Sequence, residues 1–186
     1  RSAKRTAQAA AKVAVDMVKE GLITKEEAIQ RVEPEQVNQL LLPRFDEQAK
    51  ANAITKGNLL TVGLNASPGA ATGNAVFDPD RAVELSASGV NVILVRTETN
   101  PDDVHGMLKS MGVLTTRGGA TSHAAVVARG LGKPCVSGCE DLIIDHVNRT
   151  AVVNGHTIRE NEEISIDGAT GEVFIGSITT TEPDFS

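Results

Sequence analysis

The chain has 186 residues, a net charge of −6, two cysteines, four phenylalanines and neither tryptophan nor tyrosine. That charge argues against nucleic-acid binding by phosphate neutralisation, and the shortage of aromatics removes the usual base-stacking platforms. A hydrophobic share of 40% allows a core built from Leu, Ile, Val and Ala. No apolar run reaches transmembrane length and no signal-peptide pattern is visible, so no membrane role is expected. Two cysteines suggest a reducing compartment, the cytoplasm or an organelle with a reducing interior, over a disulfide scaffold.

Composition shifts near residue 56. Residues 1–50 hold one of the 17 glycines and nine of the 18 basic residues; the rest of the chain holds 16 of the 24 acidic ones. The first part reads as helices. Ala10, Val13, Ala14 and Met17 fall on a helical period that Gly21 stops. Thr24 and Glu27 form a capping-box match for a second helix running to about Val32. Pro34 suits the first turn of a third, over Glu35 to Leu42, and Pro43 ends it. A short helix is expected from Asp46 to Ala53. The first 56 residues therefore read as a helical connector, since they lack the basic face of a membrane-surface element.

From Leu59 the pattern becomes short strands punctuated by Gly and Pro. Leu59–Leu64 and Ala70–Phe77 flank a turn at Asn65-Ala66-Ser67-Pro68-Gly69. Pro79 to Ser88 reads as a helix ended by Gly89, and Asn91 to Arg96 as a buried strand. Thr97-Glu98-Thr99-Asn100 then leads to a helix at Pro101, with Asp102 and Asp103 in its first turn. After residue 140, five short strands are expected: 142–145, 149–154, 156–159, 163–167 and 172–175. Asn154-Gly155 and Asp167-Gly168 supply hairpin-type turns. The run Asp167-Gly168-Ala169-Thr170-Gly171 superficially resembles a phosphate-cradling loop but reads as a β-turn.

The centre of the chain is residues 113–139. A short apolar run ends in Arg117-Gly118-Gly119, followed by Thr121-Ser122-His123 and then an alanine- and valine-rich run. The order predicts strand, glycine loop and helix. Gly118 and Gly119 permit backbone angles closed to other residues and close approach of a ligand. Thr121 and Ser122 are preferred N-cap types, and Ala124, Val127, Ala128 and Leu131 form one apolar face. A helix's first turn carries free N–H groups and the positive end of its dipole, a term of roughly 0.3–1 kcal/mol for an anion. His123 is thus placed where a transferable anion is best received. A neutral imidazole offers one ring lone pair, so a phosphoryl group held there would meet Gly118, Gly119, Thr121 and Ser122 as stabilising neighbours. The plainer reading, a capping or surface histidine, is weakened by the combination.

Metal and hydrolase chemistry find little support. Cys135 and Cys139 have no second knuckle for structural zinc, and His146 and His156 have no companion ligand. Ser122 stands beside His123 with no third orienting group. No metal site is expected in this stretch.

The run G-G-A-T-S-H-A-A-V-V-A-R from Gly118 to Arg129 resembles the phosphohistidine signature of the phosphoenolpyruvate-utilising enzymes. The following G-L-G-K-P-C-V-S-G-C is similar to the pyruvate, phosphate dikinase branch of that family, and S-P-G-A-A at 67–71 to the opening of its mobile domain. The resemblance implies an α/β fold: a swivelling β/β/α phosphohistidine domain over 57–178, preceded by a helical linker segment. It implies that residues 1–56 connect from an ATP-grasp nucleotide domain and that 179–186 begin a linker to a TIM-barrel domain. Arg1 could then be a relic of the nucleotide site. The chain would be an excised piece of a homo-oligomeric parent.

The implied function is phosphoryl transfer, from ATP, phosphate and pyruvate to AMP, pyrophosphate and phosphoenolpyruvate. His123 would attack the β-phosphorus of ATP, pass the terminal phosphoryl to phosphate, then deliver its own to pyruvate. Mg²⁺ is implied for the nucleotide and barrel domains, with no cofactor in this fragment. By position in T-x-P-x-D-type patterning, Thr99 would orient the histidine, although a helix cap is an equal reading from the residues alone. Thr121 would be a regulatory phosphorylation site. The neighbouring readings are a phosphoenolpyruvate synthase carrier domain and a non-catalytic docking domain.

Overall fold

The computed structural model describes residues 7–181. It divides into two compact units, one ending at Leu42 and one spanning Pro43–Thr181. The expectation for Arg1 lies outside the described residues, as does the part of the expected 179–186 linker beyond Thr181; its described residues Thr180 and Thr181 pair as a strand with Arg44 and Phe45.

The first unit is helical. Helix α1 (Ala7–Lys19) packs against α2 (Lys25–Arg31) and α3 (Pro34–Leu41). Gly21, at φ +72°, takes the chain out of α1 in a conformation that suits glycine. The Thr24 hydroxyl accepts the Glu27 amide at 3.2 Å, and the Glu27 carboxylate accepts the Thr24 amide at 3.0 Å. The capping box read from the sequence is therefore formed.

The second unit opens with β1 (Arg44–Phe45), α4 (Glu47–Thr55), β2 (Leu59–Val62), β3 (Leu64–Ser67) and β4 (Ala70–Val76). Next come α5 (Pro79–Ala87), β5 (Val92–Arg96), a 3₁₀ turn (Pro101–Asp103), α6 (Val104–Lys109), β6 (Gly112–Thr115), α7 (His123–Leu131) and β7 (Cys135–Ser137). Strands β8 (Ile143–Asp145), β9 (Thr150–Val153), β10 (His156–Arg159), β11 (Glu163–Asp167), β12 (Glu172–Ile175) and β13 (Thr180–Thr181) complete it.

Eight strands form one sheet in the order β2-β12-β11-β4-β5-β6-β7-β3, with β4, β5, β6 and β7 parallel. Each parallel step crosses through a helix (α5, α6 or α7), as parallel connections require. Side chains alternate across the sheet. Val92 and Leu94 of β5 join Ala82, Met107, Ala125 and Ala128 in a core under the helices. Ile93 and Val95 join Leu142, Ala151, Val153 and Ile158 on the other side, where β8, β9 and β10 form a second sheet. The layers are β/β/α. Val92 to Val95 are fully buried, and each such side chain contributes roughly 1.5–3 kcal/mol, which makes β5 the spine of the unit.

Two features depart from the sequence reading. Residues 59–67 form two strands broken at Gly63, where a turn was expected from Asn65: β3 crosses to the far edge and pairs with β7. A Cβ at Gly63 would run into the Cys139 sulfur and the Ser137 carbonyl, so only glycine fits the break. The unit boundary also lies at 42/43, ahead of the 56/57 shift in composition. Strand β1 pairs with β13, and Phe45, Ala53, Phe174 and Ile178 share a small core. Lys50 of α4 binds Asp167 and Glu172. The compositional shift near residue 56 thus falls just past the end of this packed helix.

Candidate functional site

The site gathers at the carboxyl ends of β5 and β6, where ligands of open α/β sheets collect. The chain leaves β5 through Thr97 to Asn100 and leaves β6 through Thr116 to Ser122. The two loops are tied together: the Thr97 carbonyl accepts the Arg117 amide at 2.9 Å and the Thr116 hydroxyl at 3.2 Å. The Thr115 hydroxyl donates to the Arg117 carbonyl at 2.8 Å. Arg117 is thus held through its backbone on both sides while its side chain stays exposed.

His123 is the first residue of α7, capped by Ser122, whose hydroxyl accepts the Ala125 amide at 3.4 Å. Of the apolar face expected for this helix, Ala124 and Ala128 are buried and Val127 and Leu131 partly so, and Ala125 is buried beside them. Thr99 is buried, and its hydroxyl lies 3.0 Å from Nδ1 of the half-buried His123. Nδ1 is occupied by this bond, and Nε2 makes no hydrogen bond among the described residues.

The other expected residues sort themselves around this pair. Gly118 has φ +112°, and a Cβ there would meet the Ser122 side chain at 2.8 Å, so glycine is required twice over. Gly119 faces open space. Thr121 is exposed, with no side-chain hydrogen bond among the described residues. Ser122 spends its amide on the Gly119 carbonyl at 3.1 Å and its oxygen on the cap, leaving only its hydroxyl proton for a ligand.

Three residues outside the expected site help to build it. Arg129, in the last turn of α7, donates to the Ala120 carbonyl at 2.7 Å and the Ala66 carbonyl at 2.9 Å, fastening the loop to β3. Gly138, at φ +64°, lets β7 pass beneath the Gly118 carbonyl. The Thr97 hydroxyl pairs with His146 Nε2 at 3.1 Å, which gives that exposed histidine a position beside the first loop. Arg129 closes the run that carries the resemblance, but its targets are backbone oxygens that no sequence pattern displays.

His105 is a surface residue, 2.6 Å from Asp80. Cys135 and Cys139 are unpaired and buried. Burial, with Cys139 beside the first and Asp141 beside the second, pushes both thiols up to about 12, which removes them as nucleophiles at neutral pH. Among the described residues no three His, Cys, Asp or Glu side chains cluster as metal ligands, and no helix is long and apolar enough to cross a membrane.

Comparison with known proteins places this geometry. Residues 89–171 match the family described as PEP-utilising enzyme, mobile domain. Over all 186 residues the chain is 50% identical to the pyruvate, phosphate dikinase of Rhizobium meliloti, covering 20% of that protein. It is 47% identical to the pyruvate, phosphate dikinase of Clostridium symbiosum, covering 21%, and 47% to the chloroplastic pyruvate, phosphate dikinase 1 of Arabidopsis thaliana, covering 19%. The chain thus spans about one fifth of the length of the curated relatives it matches.

Proposed function

We propose that this chain, residues 89–171 of which match the mobile domain of the PEP-utilising enzymes, is the phosphoryl carrier of a pyruvate, phosphate dikinase, with His123 as the carrying residue. The observation that bears most of the weight is His123 at the start of α7 with Nδ1 against the Thr99 hydroxyl at 3.0 Å. A proton on Nδ1, donated to Thr99, leaves the Nε2 lone pair directed at an incoming phosphorus.

In this reading Nε2 attacks the β-phosphorus of ATP and the bond to the departing AMP oxygen breaks with its electron pair. The terminal phosphoryl then passes to inorganic phosphate as pyrophosphate. The phosphoryl remaining on Nε2 moves to the enolate oxygen of pyruvate, giving phosphoenolpyruvate and restoring the lone pair. The Nδ1 proton stays on the ring throughout, which keeps the carrier neutral before each attack. The first-turn amides of α7 and the Ser122 hydroxyl proton favour the anionic group while it is held. Phosphoryl bound this way stays labile, as a carrier requires.

ATP, phosphate and pyruvate would be bound by ATP-grasp and TIM-barrel domains of the same polypeptide, in a homo-oligomeric parent. The Mg²⁺ such chemistry uses would be held by those domains; among the described residues no group of three His, Cys, Asp or Glu could hold it. The swing between sites would pivot outside the Pro43–Thr181 unit, because α4 is fixed to the sheet through Lys50 and Ala53. Thr121, exposed two residues before His123, suits a regulatory phosphorylation: a phosphate there would repel the group on the histidine. Two buried free thiols suit a reducing compartment.

The test is to trap labelled phosphoryl from phosphoenolpyruvate on the full-length protein beside its His123→Ala variant. Acid-labile, alkali-stable label that disappears in the variant is the expected result. Equal label in both, or none in either, would remove His123 as the carrier. The 186-residue chain alone should show no pyruvate-dependent consumption of ATP.

A further inference from the structure

Thr99 can fix the ring of His123 only if the loop that carries it is itself fixed. The loop from β5 to the 3₁₀ turn has no regular pairing of its own. It is held at two points. At Thr97 the carbonyl is bound by Arg117 and Thr116 from the neighbouring loop. At Asn100 the amide donates to Asp103 Oδ2 at 2.9 Å. Thr99 lies between these two clamps.

Asp103 is an unusual residue to find there. It is only 5% exposed, and charged side chains are almost never that buried unless paired. Its Oδ1 faces the Arg96 guanidinium at 3.9 Å. Arg96, the last residue of β5, donates through Nη1 to the Phe77 carbonyl at 2.9 Å, just beyond the end of β4. Arg96 Nε is buried with no partner among the described residues. Asp103 is desolvated, Arg96 only partly so, and the pair is incompletely satisfied, an arrangement that apolar side chains would replace at lower cost. Apolar side chains could not, however, bind the Asn100 N–H and the Phe77 carbonyl at once. The pair links the ends of two parallel strands to the loop that bears Thr99.

We propose that Asp103, backed by Arg96, is a positioning residue that keeps His123 in the Nδ1–H tautomer by holding Thr99 Oγ1 as the acceptor. Neither side chain touches the reacting atoms. The inference deepens the carrier reading and rests on it for its consequence, since only this tautomer exposes the Nε2 lone pair that forms the bond to phosphorus. If Asp103 is lost, Asn100 and Thr99 drift, Nδ1 loses its acceptor, and the proton distributes between both nitrogens.

Two-bond ¹H–¹⁵N spectra of the ¹⁵N-histidine-labelled chain, at a pH where its imidazoles are neutral, report the tautomer directly. His123 is assigned by comparison with His123→Gln. The wild-type chain should show a protonated Nδ1 and a lone-pair Nε2. In Asp103→Ala, as in Thr99→Val, both shifts should move towards the average of exchanging tautomers, while Asp103→Asn, whose amide oxygen still accepts the Asn100 N–H, should restore the pattern. A protonated Nε2 in the wild type overturns the proposal outright, and so does an unchanged pattern in a folded Asp103→Ala. If Asp103→Ala does not fold, Arg96→Gln carries the comparison: a partial shift towards the average supports the proposal and an unchanged pattern overturns it. The spectra need no phosphoryl donor, so this result is independent of the carrier reading. In the full-length protein, Asp103→Ala should slow phosphoryl uptake by roughly ten- to a hundredfold. The correct tautomer in a protein that never takes up phosphoryl would sink the carrier reading alone.

Discussion

Two glycine-bearing loops of this molecule look alike in one dimension and do opposite work. Arg117-Gly118-Gly119-Ala120-Thr121-Ser122 leads into α7; Asp167-Gly168-Ala169-Thr170-Gly171 joins β11 to β12. In the second, Asp167 Oδ1 accepts the amides of Ala169 and Thr170, and its carbonyl accepts that of Gly171. The Gly168 amide is bound by the Gly69 carbonyl, and the Gly171 carbonyl by Gly63. A Cβ on Gly168 would overlap the Ser67 carbonyl, and one on Gly171 the Gly63 carbonyl. All four amides from Gly168 to Gly171 are consumed and both glycines are packing contacts. In the first loop Gly119 meets open space and Thr121 is exposed, and Thr97, Thr115 and Arg129 fasten the loop at Arg117 and Ala120. The two loops differ in how their glycines are packed and where their amides go, which the letters do not state.

The contrast is broken most severely by adding methyl groups. Gly168→Ala forces main chain apart and should cost about 3 kcal/mol or more, read as a lowered urea midpoint. Gly119→Ala should stay within about 0.5 kcal/mol of wild type. Equal melting of the two would mean that the open and packed loops have been misassigned.

Removing the anchor of the packed turn comes next. Asp167→Ala removes the acceptor of the Ala169 and Thr170 amides and leaves Lys50 with Glu172 alone, for an expected loss of about 1–3 kcal/mol by denaturant titration. Thr121→Ala in the open loop should leave that titration unchanged. A smaller effect sits at Gly118, where alanine would strain a positive φ and press on Ser122; about 1–2 kcal/mol is expected, together with weaker capping of α7. A gain in stability there would contradict the geometry.

The mildest probe is pH. Burial pulls the Lys50 ammonium down, but its bonds to Asp167 and Glu172 outweigh burial and leave it above the ordinary 10.5. A group raised in the folded state contributes stability that is fully present below its unfolded value and is lost as pH rises through the folded one. The wild type should therefore weaken above about pH 10.5 more steeply than Lys50→Met, measured as urea midpoints at pH 9 and pH 11. Parallel slopes would detach Lys50 from the turn.

Much of this fold could be read from the chain because the signals were local. The four-residue apolar run of β5, the serine cap and apolar face of α7, and the Thr24–Glu27 box each depend on neighbours within one turn or strand. Strand β3 could not be read: Asn65-Ala66-Ser67 precedes Pro-Gly and is held extended only by β7, a strand of three residues. The place of α4 was hidden for a related reason, since Ala53 and Lys50 find their partners more than a hundred residues away, at Phe174 and Asp167. At the site, the histidine and its cap were visible in the motif. The bond to Thr99 was guessable only by likeness, and Arg96, Asp103 and Arg129 act on backbone atoms brought near by the sheet.

The pairing of Arg44 with Thr181 and of Phe45 with Thr180 has a consequence for ancestry. A polypeptide that threads this unit leaves its course and rejoins it at one spot, so the unit is topologically a detour. Such a detour can be spliced into an unrelated host, or recut with new termini elsewhere in the loop, without pulling the host's own ends apart. A permuted gene that joins residues 44 and 181 through a short bridge, and opens in the exposed hairpin around Val147, should still yield the same sheet.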